Sequence, residues 1–269
     1  MKIDPVSLRS RLIAGAAAAL IAACGGGGGG GGNDQGAGGI PSNPPPAGGT
    51  SVLAGGWSGS GAPGETVQVF VVADGTAWAF AMNANNAPLD MYVGALELSN
   101  SQLSSTGMRA FDYETRTAAG AGASGTYVVG SQMAFTVTPD GAAVGVPITV
   151  NAVPANDYDP ARAAVLADAA RAWNGHFTPT ETGGVVVSPD GSVNTATSEG
   201  CLSSGLLMPR ANENVFDVEV TLVATGTCLT PNAKATGTAF VVGSGAMARF
   251  YLGLKTADGS QGATFIGRP

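Results

Sequence analysis

Histidine is almost missing from this chain, and His176 stands alone. A multi-histidine metal site is therefore excluded, and no HExxH pattern occurs. Basic charge is scarce: 12 Lys and Arg face 19 Asp and Glu, for a formal net charge of −7. That balance argues against nucleic acid and against electrostatic adhesion to an acidic lipid surface. Serine chemistry also lacks its motifs. The nearest approach to a nucleophile elbow is GWSGSG, Gly56–Gly61, which has no Gly-x-Ser-x-Gly, and no Ser-x-x-Lys occurs. A phosphate loop of the Gly-x-x-x-x-Gly-Lys type is missing. These absences predict a non-enzyme with no catalytic residue, no metal and no cofactor. Long apolar runs are missing too: Leu12–Ala23 is too short to span a membrane.

What that short run does supply is a secretory signal. Lys2, Arg9 and Arg11 precede it, with Asp4 the one acid, and small residues end it. Ile21-Ala22-Ala23-Cys24 resembles the bacterial lipobox. The resemblance implies cleavage before Cys24, a diacylglycerol on its thiol and an acyl chain such as palmitate on the new amine. Several chains anchor far more firmly than one. Gly25 stands where an Asp would signal inner-membrane retention, so the resemblance implies the outer membrane, at the cell surface or on the periplasmic face. Removing residues 1–23 leaves nine basic and eighteen acidic side chains. Residues 24–50 open with eight glycines and contain Pro44-Pro45-Pro46. Such a segment buries too little to offset its ordering entropy and is expected to be a disordered leash reaching about 30 Å.

The remainder repeats. Trp57–Gly75 aligns with Trp173–Gly191 at an offset of 116 residues without a gap, and nine of nineteen positions are identical. Trp57 meets Trp173, Gly59 meets Gly175, and Glu65-Thr66 meets Glu181-Thr182. The four Asp-Gly pairs fall two per repeat, 66 residues apart in the first and 68 in the second. Two tandem domains are expected, residues 51–154 and 172–269. Asp-Gly predicts hairpins with type I′ turns, which need positive φ at both central residues. The flanks alternate with period two: Phe216, Val218, Val220 and Leu222 on one face, Phe250, Leu252 and Leu254 on another strand. This predicts antiparallel sheet with one face wet. About eight strands per repeat would close into a small barrel, which removes sheet edges, and a sandwich fits nearly as well. Gly-rich stretches such as Gly120–Gly125 read as loops. Residues 155–171 are expected to form a linking helix, with Asp159 as N-cap, Pro160 at the first turn, and Val165, Leu166, Ala169 and Trp173 on its docking face. Asp157 and Asp159 need no metal at such a position.

Cys201 and Cys228 are the thiols left once Cys24 is acylated, and an oxidising compartment predicts a disulfide between them. His176 reads as a strand residue, with Ser60 at the matching position of the first repeat. Trp57 and Trp173 read as core plugs that define each repeat, together with Gly59 and Gly175. Gly55-Gly56-Trp57 also resembles the Gly-x-Trp of lipocalin first strands, which implies a carrier of a small apolar ligand. Cysteine, glycine tract and β repeats together resemble the glycine-leashed surface lipoproteins of Gram-negative bacteria, the group of transferrin-binding protein B and the heparin-binding antigens. That resemblance implies tandem eight-stranded barrels whose loops meet a protein partner. The terminal GATFIGRP keeps that group's aromatic and glycine, Phe265 and Gly267, without its acid. A non-catalytic binding or adhesion module held to the membrane by its anchor is the leading expectation, with the small-ligand carrier as the alternative and a periplasmic enzyme using His176 as the least favoured reading.

Overall fold

The computed structural model describes residues 51–223 and 233–269. The signal, Cys24, the leash and Cys228 lie outside the described residues. Residues 49–269 belong to one compact unit.

The chain is all-β, and both repeats close into barrels rather than sandwiches. Barrel 1 is built from β1 (Gly55–Ser60), β2 (Thr66–Val71), β3 (Thr76–Met82), β4 (Pro88–Ala95), β5 (Glu97–Ser99), β6 (Gln102–Asp112), β7 (Thr117–Val128), β8 (Gln132–Pro139) and β9 (Val146–Ala152). From β1 to β4 and from β5 to β9 each strand pairs antiparallel with the next, β1 closes on β9, and β4 pairs directly with β6. The short β5 continues β4 along β6 after a break at Leu96, whose N–H is diverted to the Gly75 carbonyl at 2.9 Å. Barrel 2 comprises β10 (Ala172–His176), β11 (Thr182–Val187), β12 (Ser192–Thr197), β13 (Leu202–Pro209), β14 (Phe216–Val223), β15 (Lys234–Val242), β16 (Arg249–Thr256) and β17 (Gly262–Arg268), closed by β10 on β17.

The repeat is preserved at atomic detail. Trp57 Nε1 donates to the Leu53 carbonyl at 3.1 Å, and Trp173 Nε1 donates to the Ala169 carbonyl at 2.8 Å. Each ring plugs its barrel while its one polar atom is satisfied four residues back. Gly59 and Gly175 sit where the first strand meets the last. A Cβ at Gly59 would lie 2.0 Å from the Thr149 carbonyl oxygen, and one at Gly175 2.0 Å from that of Ile266. Only glycine lets the backbones come that close.

Trp57 shares the barrel 1 interior with Tyr92, Tyr127, Met133 and Phe135. Trp173 shares the barrel 2 interior with Phe216, Leu207, Phe250, Leu252 and Phe265. A third apolar cluster lies between the barrels. There Phe70 of β2 stacks on Phe240 of β15, ring centroids 4.1 Å apart and planes within 6°. Tyr158 and Tyr251 pack around this pair, with centroids 5.2 and 5.3 Å from Phe70. Backbone is exposed to the rings by small residues: a Cβ at Gly253 would sit 2.6 Å from the Trp78 ring, and one at Gly262 2.6 Å from Phe111. Arg109 crosses the junction with both Nε and Nη2 donating to the Gly259 carbonyl, at 3.0 and 2.6 Å.

This junction corrects the expectation of one wet face. Asp217 and Glu219 do leave one face of β14 open to water, but β2, β3, β16 and β17 are buried on both faces along most of their length. In β3 the alanines 77, 79 and 81 point into the barrel, while Trp78, Phe80 and Met82 point outward into the junction.

Three local expectations also change. The Asp-Gly hairpins form, but the aspartates are not among the positive-φ residues. Gly75 and Gly191 both have φ 86°, and their N–H groups bond back to Val72 and Ser188. A three-residue loop with a left-handed glycine replaces the type I′ turn. The Asp74 carboxylate accepts from Thr76 N–H at 2.8 Å and Asp190 from Ser192 N–H at 2.9 Å, which favours the ordinary φ for each aspartate. Gly120–Gly125 is not a loop but the middle of β7, where a Cβ at Gly125 would lie 2.2 Å from the Ala134 carbonyl oxygen. The linking helix shrinks to α1, Leu166–Ala169, without a side-chain cap. Asp159 still bonds the Ala161 N–H at 3.0 Å. The rest of the segment makes local turns and gives further hydrogen bonds to barrel 2. Ala164 N–H donates to Glu213 at 2.9 Å, Gly243 N–H to Asp157 at 2.8 Å, and the Tyr158 hydroxyl to Asn214 at 3.0 Å. Tertiary bonding thus overrides strong helix propensity. Leu166, Ala169 and Trp173 dock as expected, whereas Val165 is 47% exposed.

Candidate functional site

The sequence-derived residues do not converge on one place. Trp57 and Gly59 belong to barrel 1, Trp173 and Gly175 to barrel 2, and their roles are those of core plugs and strand closure. Cys201 directly precedes β13. Its proposed partner Cys228 lies outside the described residues, so the bridge remains an expectation. Asp157 and Asp159 line a cleft of about 270 Å³ beside the linking segment, with Asp168, Arg162 and Arg171. Arg162 pairs with Asp168 at 2.6 Å there. Among the described residues no group of three His, Cys, Asp or Glu side chains could hold a metal ion.

His176 ends β10, at the mouth of a different cleft of about 260 Å³ that opens at the barrel junction. Barrel 1 contributes the turn between β3 and β4. Asn83 orders this turn by accepting the N–H groups of Asn85 and Ala87 at 2.9 and 3.1 Å. The turn in turn holds Asn86 at φ 60°, a conformation that asparagine tolerates better than most residues. Barrel 2 contributes Asn174 and His176 from β10, Arg249 from β16 and Arg268 from β17. Arg249 Nη1 donates to Asn86 Oδ1 at 2.6 Å and so ties the two barrels together at this point. The His176 Nδ1 atom is buried and meets no hydrogen-bond partner. Burial pushes the neighbouring Tyr251 hydroxyl above its usual pKa, and the fields of Arg249 and Arg268 pull it partly back.

The cleft offers donors and positive charge but no hydroxyl, thiol or carboxylate side chain. A nucleophile paired with a base, the minimum for acyl transfer, is not assembled among its lining residues. Sequence reasoning placed His176 in a strand and gave no weight to Asn85, Asn86, Arg249 or Arg268. The Asn83–Asn86 cluster was a readable turn signal, but nothing in the sequence says which strand ends that turn would meet.

Outside the clefts, Val186 on β11 and Leu202, Leu206 and Met208 on β13 are each about half exposed on the outer surface of barrel 2. Val186 occupies the repeat position of Phe70, the ring at the centre of the junction.

Fold and site define an all-β protein of two closed, antiparallel, eight-strand barrels locked face to face. No family model matches the chain, and no curated protein sequence matches it. Among solved structures it is similar to a crystal structure of a candidate outer membrane protein from Bacteroides fragilis, at 12% identity. The match covers 81% of this chain and 98% of that one with a TM-score of 0.28, a loose superposition.

Proposed function

We propose that the chain is a lipid-anchored, non-catalytic binding module of the outer membrane. Cys24 carries the lipid, residues 24–50 supply reach, and the fused barrels meet a protein partner. One observation carries this reading. Both barrel interiors are occupied by the chain's own rings, while the face of barrel 2 built from β11 and β13 keeps Val186, Leu202, Leu206 and Met208 in water. Barrel 1 uses the equivalent face, through Phe70, to hold barrel 2. A carrier of small apolar ligands would need room inside a barrel, which these filled interiors do not favour. Apolar side chains held on an outer face suit recognition instead.

The test is capture from outer-membrane extract and host fluid with the full chain, compared with the Leu206→Asp, Met208→Asp double variant. Both positions are exposed, so the double variant should fold while losing the captured partner. Equal capture by both proteins would overturn the assigned face. Cys24→Ser should abolish incorporation of labelled palmitate, and protease added to intact cells should remove the barrels. Full protection in intact cells would place them on the periplasmic side.

A further inference from the structure

Two arginines stand side by side at the junction, and no Asp or Glu is among the residues that line the cleft. The register of β16 on β17 pairs Tyr251 with Ile266 and Phe250 with Gly267, so the next rung sets Arg249 opposite Arg268. Phe250 points into barrel 2, and both arginines therefore point out. Across β17, Arg268 is paired with Asn174, and His176 lies two residues along the same face. Like charges directly opposite on a sheet repel. Among the described residues neither guanidinium forms an ion pair with a carboxylate. The partner of Arg249 is the neutral Asn86. On a chain of net charge −7, a cleft lined by two arginines and no carboxylate side chain is not generic surface.

The donors present are two guanidinium forks, the amide groups of Asn85, Asn86 and Asn174, and the His176 imidazole. Guanidinium forks match oxygens arranged in pairs, and charge-assisted bonds of this kind are about twice as strong as neutral ones. The cleft these donors line, about 260 Å³, has room for a group the size of a tetrahedral anion.

We propose that this cleft binds a compact tetrahedral oxyanion, phosphate or sulfate, free or as an ester. The anion relieves the Arg249–Arg268 repulsion and draws Asn86 of barrel 1 and Arg249 of barrel 2 onto a common ligand. The site thus also reports on, and reinforces, the packing of one barrel against the other. This goes beyond the binding-module reading and rests on neither lipidation nor a protein partner.

Because His176 is the one histidine, ¹⁵N-histidine labelling of the full chain, purified without a polyhistidine tag, gives a single imidazole to follow by NMR. The chain in detergent is titrated at fixed pH and ionic strength with inorganic phosphate, inorganic sulfate or glycerol phosphate, and with chloride as control. A saturable shift of the His176 signal with a tetrahedral anion, absent with chloride, is expected. Arg268→Gln, at an exposed strand end, and Arg249→Gln should each weaken it by about tenfold or more, the usual loss for a charged hydrogen-bond donor. A response no greater than that to chloride, or one that both variants leave intact, would overturn the proposal. Failure of partner capture leaves this titration unaffected, and the converse also holds.

Discussion

Replacing Phe70 by alanine tests whether the barrels form one folding unit. The ring is fully buried, yet it belongs to neither barrel interior, so each barrel could in principle survive its loss. Phe to Ala in a packed site costs about 3–5 kcal/mol, as lost transfer energy plus the cavity left behind. The stack on Phe240 at 4.1 Å adds a coupling of about 1 kcal/mol beyond area. Urea unfolding of the full chain, followed by tryptophan fluorescence and circular dichroism, should give one coincident transition for the wild type. Trp57 reports from barrel 1, Trp173 from barrel 2 and Trp78 from the junction. Phe70→Ala should lower stability by about 4 kcal/mol, and a cycle with Phe240→Ala should return the coupling. Native stabilities run at about 5–15 kcal/mol, so the milder Phe70→Leu is the fallback if the alanine variant fails to fold. Two separate wild-type transitions, or a coupling below about 0.3 kcal/mol, would refute the claim that the junction joins the barrels energetically.

Two further outcomes follow. Burial raises the hydroxyl pKa of Tyr113, Tyr158 and Tyr251 above the ordinary 10.0. A raised folded pKa means stability that is complete below pH 10 and lost as pH climbs through the folded values. Absorbance titration should therefore show these three hydroxyls lagging and then ionising together as the chain unfolds in alkali. Independent titration of all five tyrosines near pH 10 would contradict it. The second concerns Cys201 and Cys228. With Cys24 replaced by serine, the unfolded, unreduced chain should show no reactive thiol, and Cys201→Ser should cost about 3 kcal/mol, the entropy of closing a loop of this length. Two free thiols would remove the bridge from the account.

Much of this fold was readable because its determinants are local or repeated. Aligned tryptophans and glycines mark where each barrel begins and closes, and Asp-Gly marks hairpins whatever their turn type. The junction was not readable for a physical reason. In TAWAFAM, Thr76–Met82, alternation is plain, but it does not say which set faces inward. The rings look like a core and the alanines like a surface. The interior of barrel 1 already holds Trp57, Tyr92 and Tyr127, so it takes the alanines and sends Trp78 and Phe80 out. The linking helix forms but is shorter than 155–171 for a similar reason: much of that segment's backbone found partners on barrel 2 that no propensity could announce. The arginine cleft depends on the register of the closing strands and on a turn from the other barrel, both set by long-range packing.

The contact between the barrels is heterologous: the first presents strands near its start, and the second presents strands near its end. Head-to-tail contacts of this kind do not close on themselves, and with identical surfaces they propagate into filaments. Here the outer surfaces of the two repeats differ at both ends. At the repeat positions of Phe70, Trp78 and Phe80, barrel 2 carries Val186, Asn194 and Ala196. At the opposite end the outer faces of β8 and β9 carry Thr136, Thr138, Thr149 and Asn151. The first repeat keeps the rings that seize a neighbour and the second has shed them.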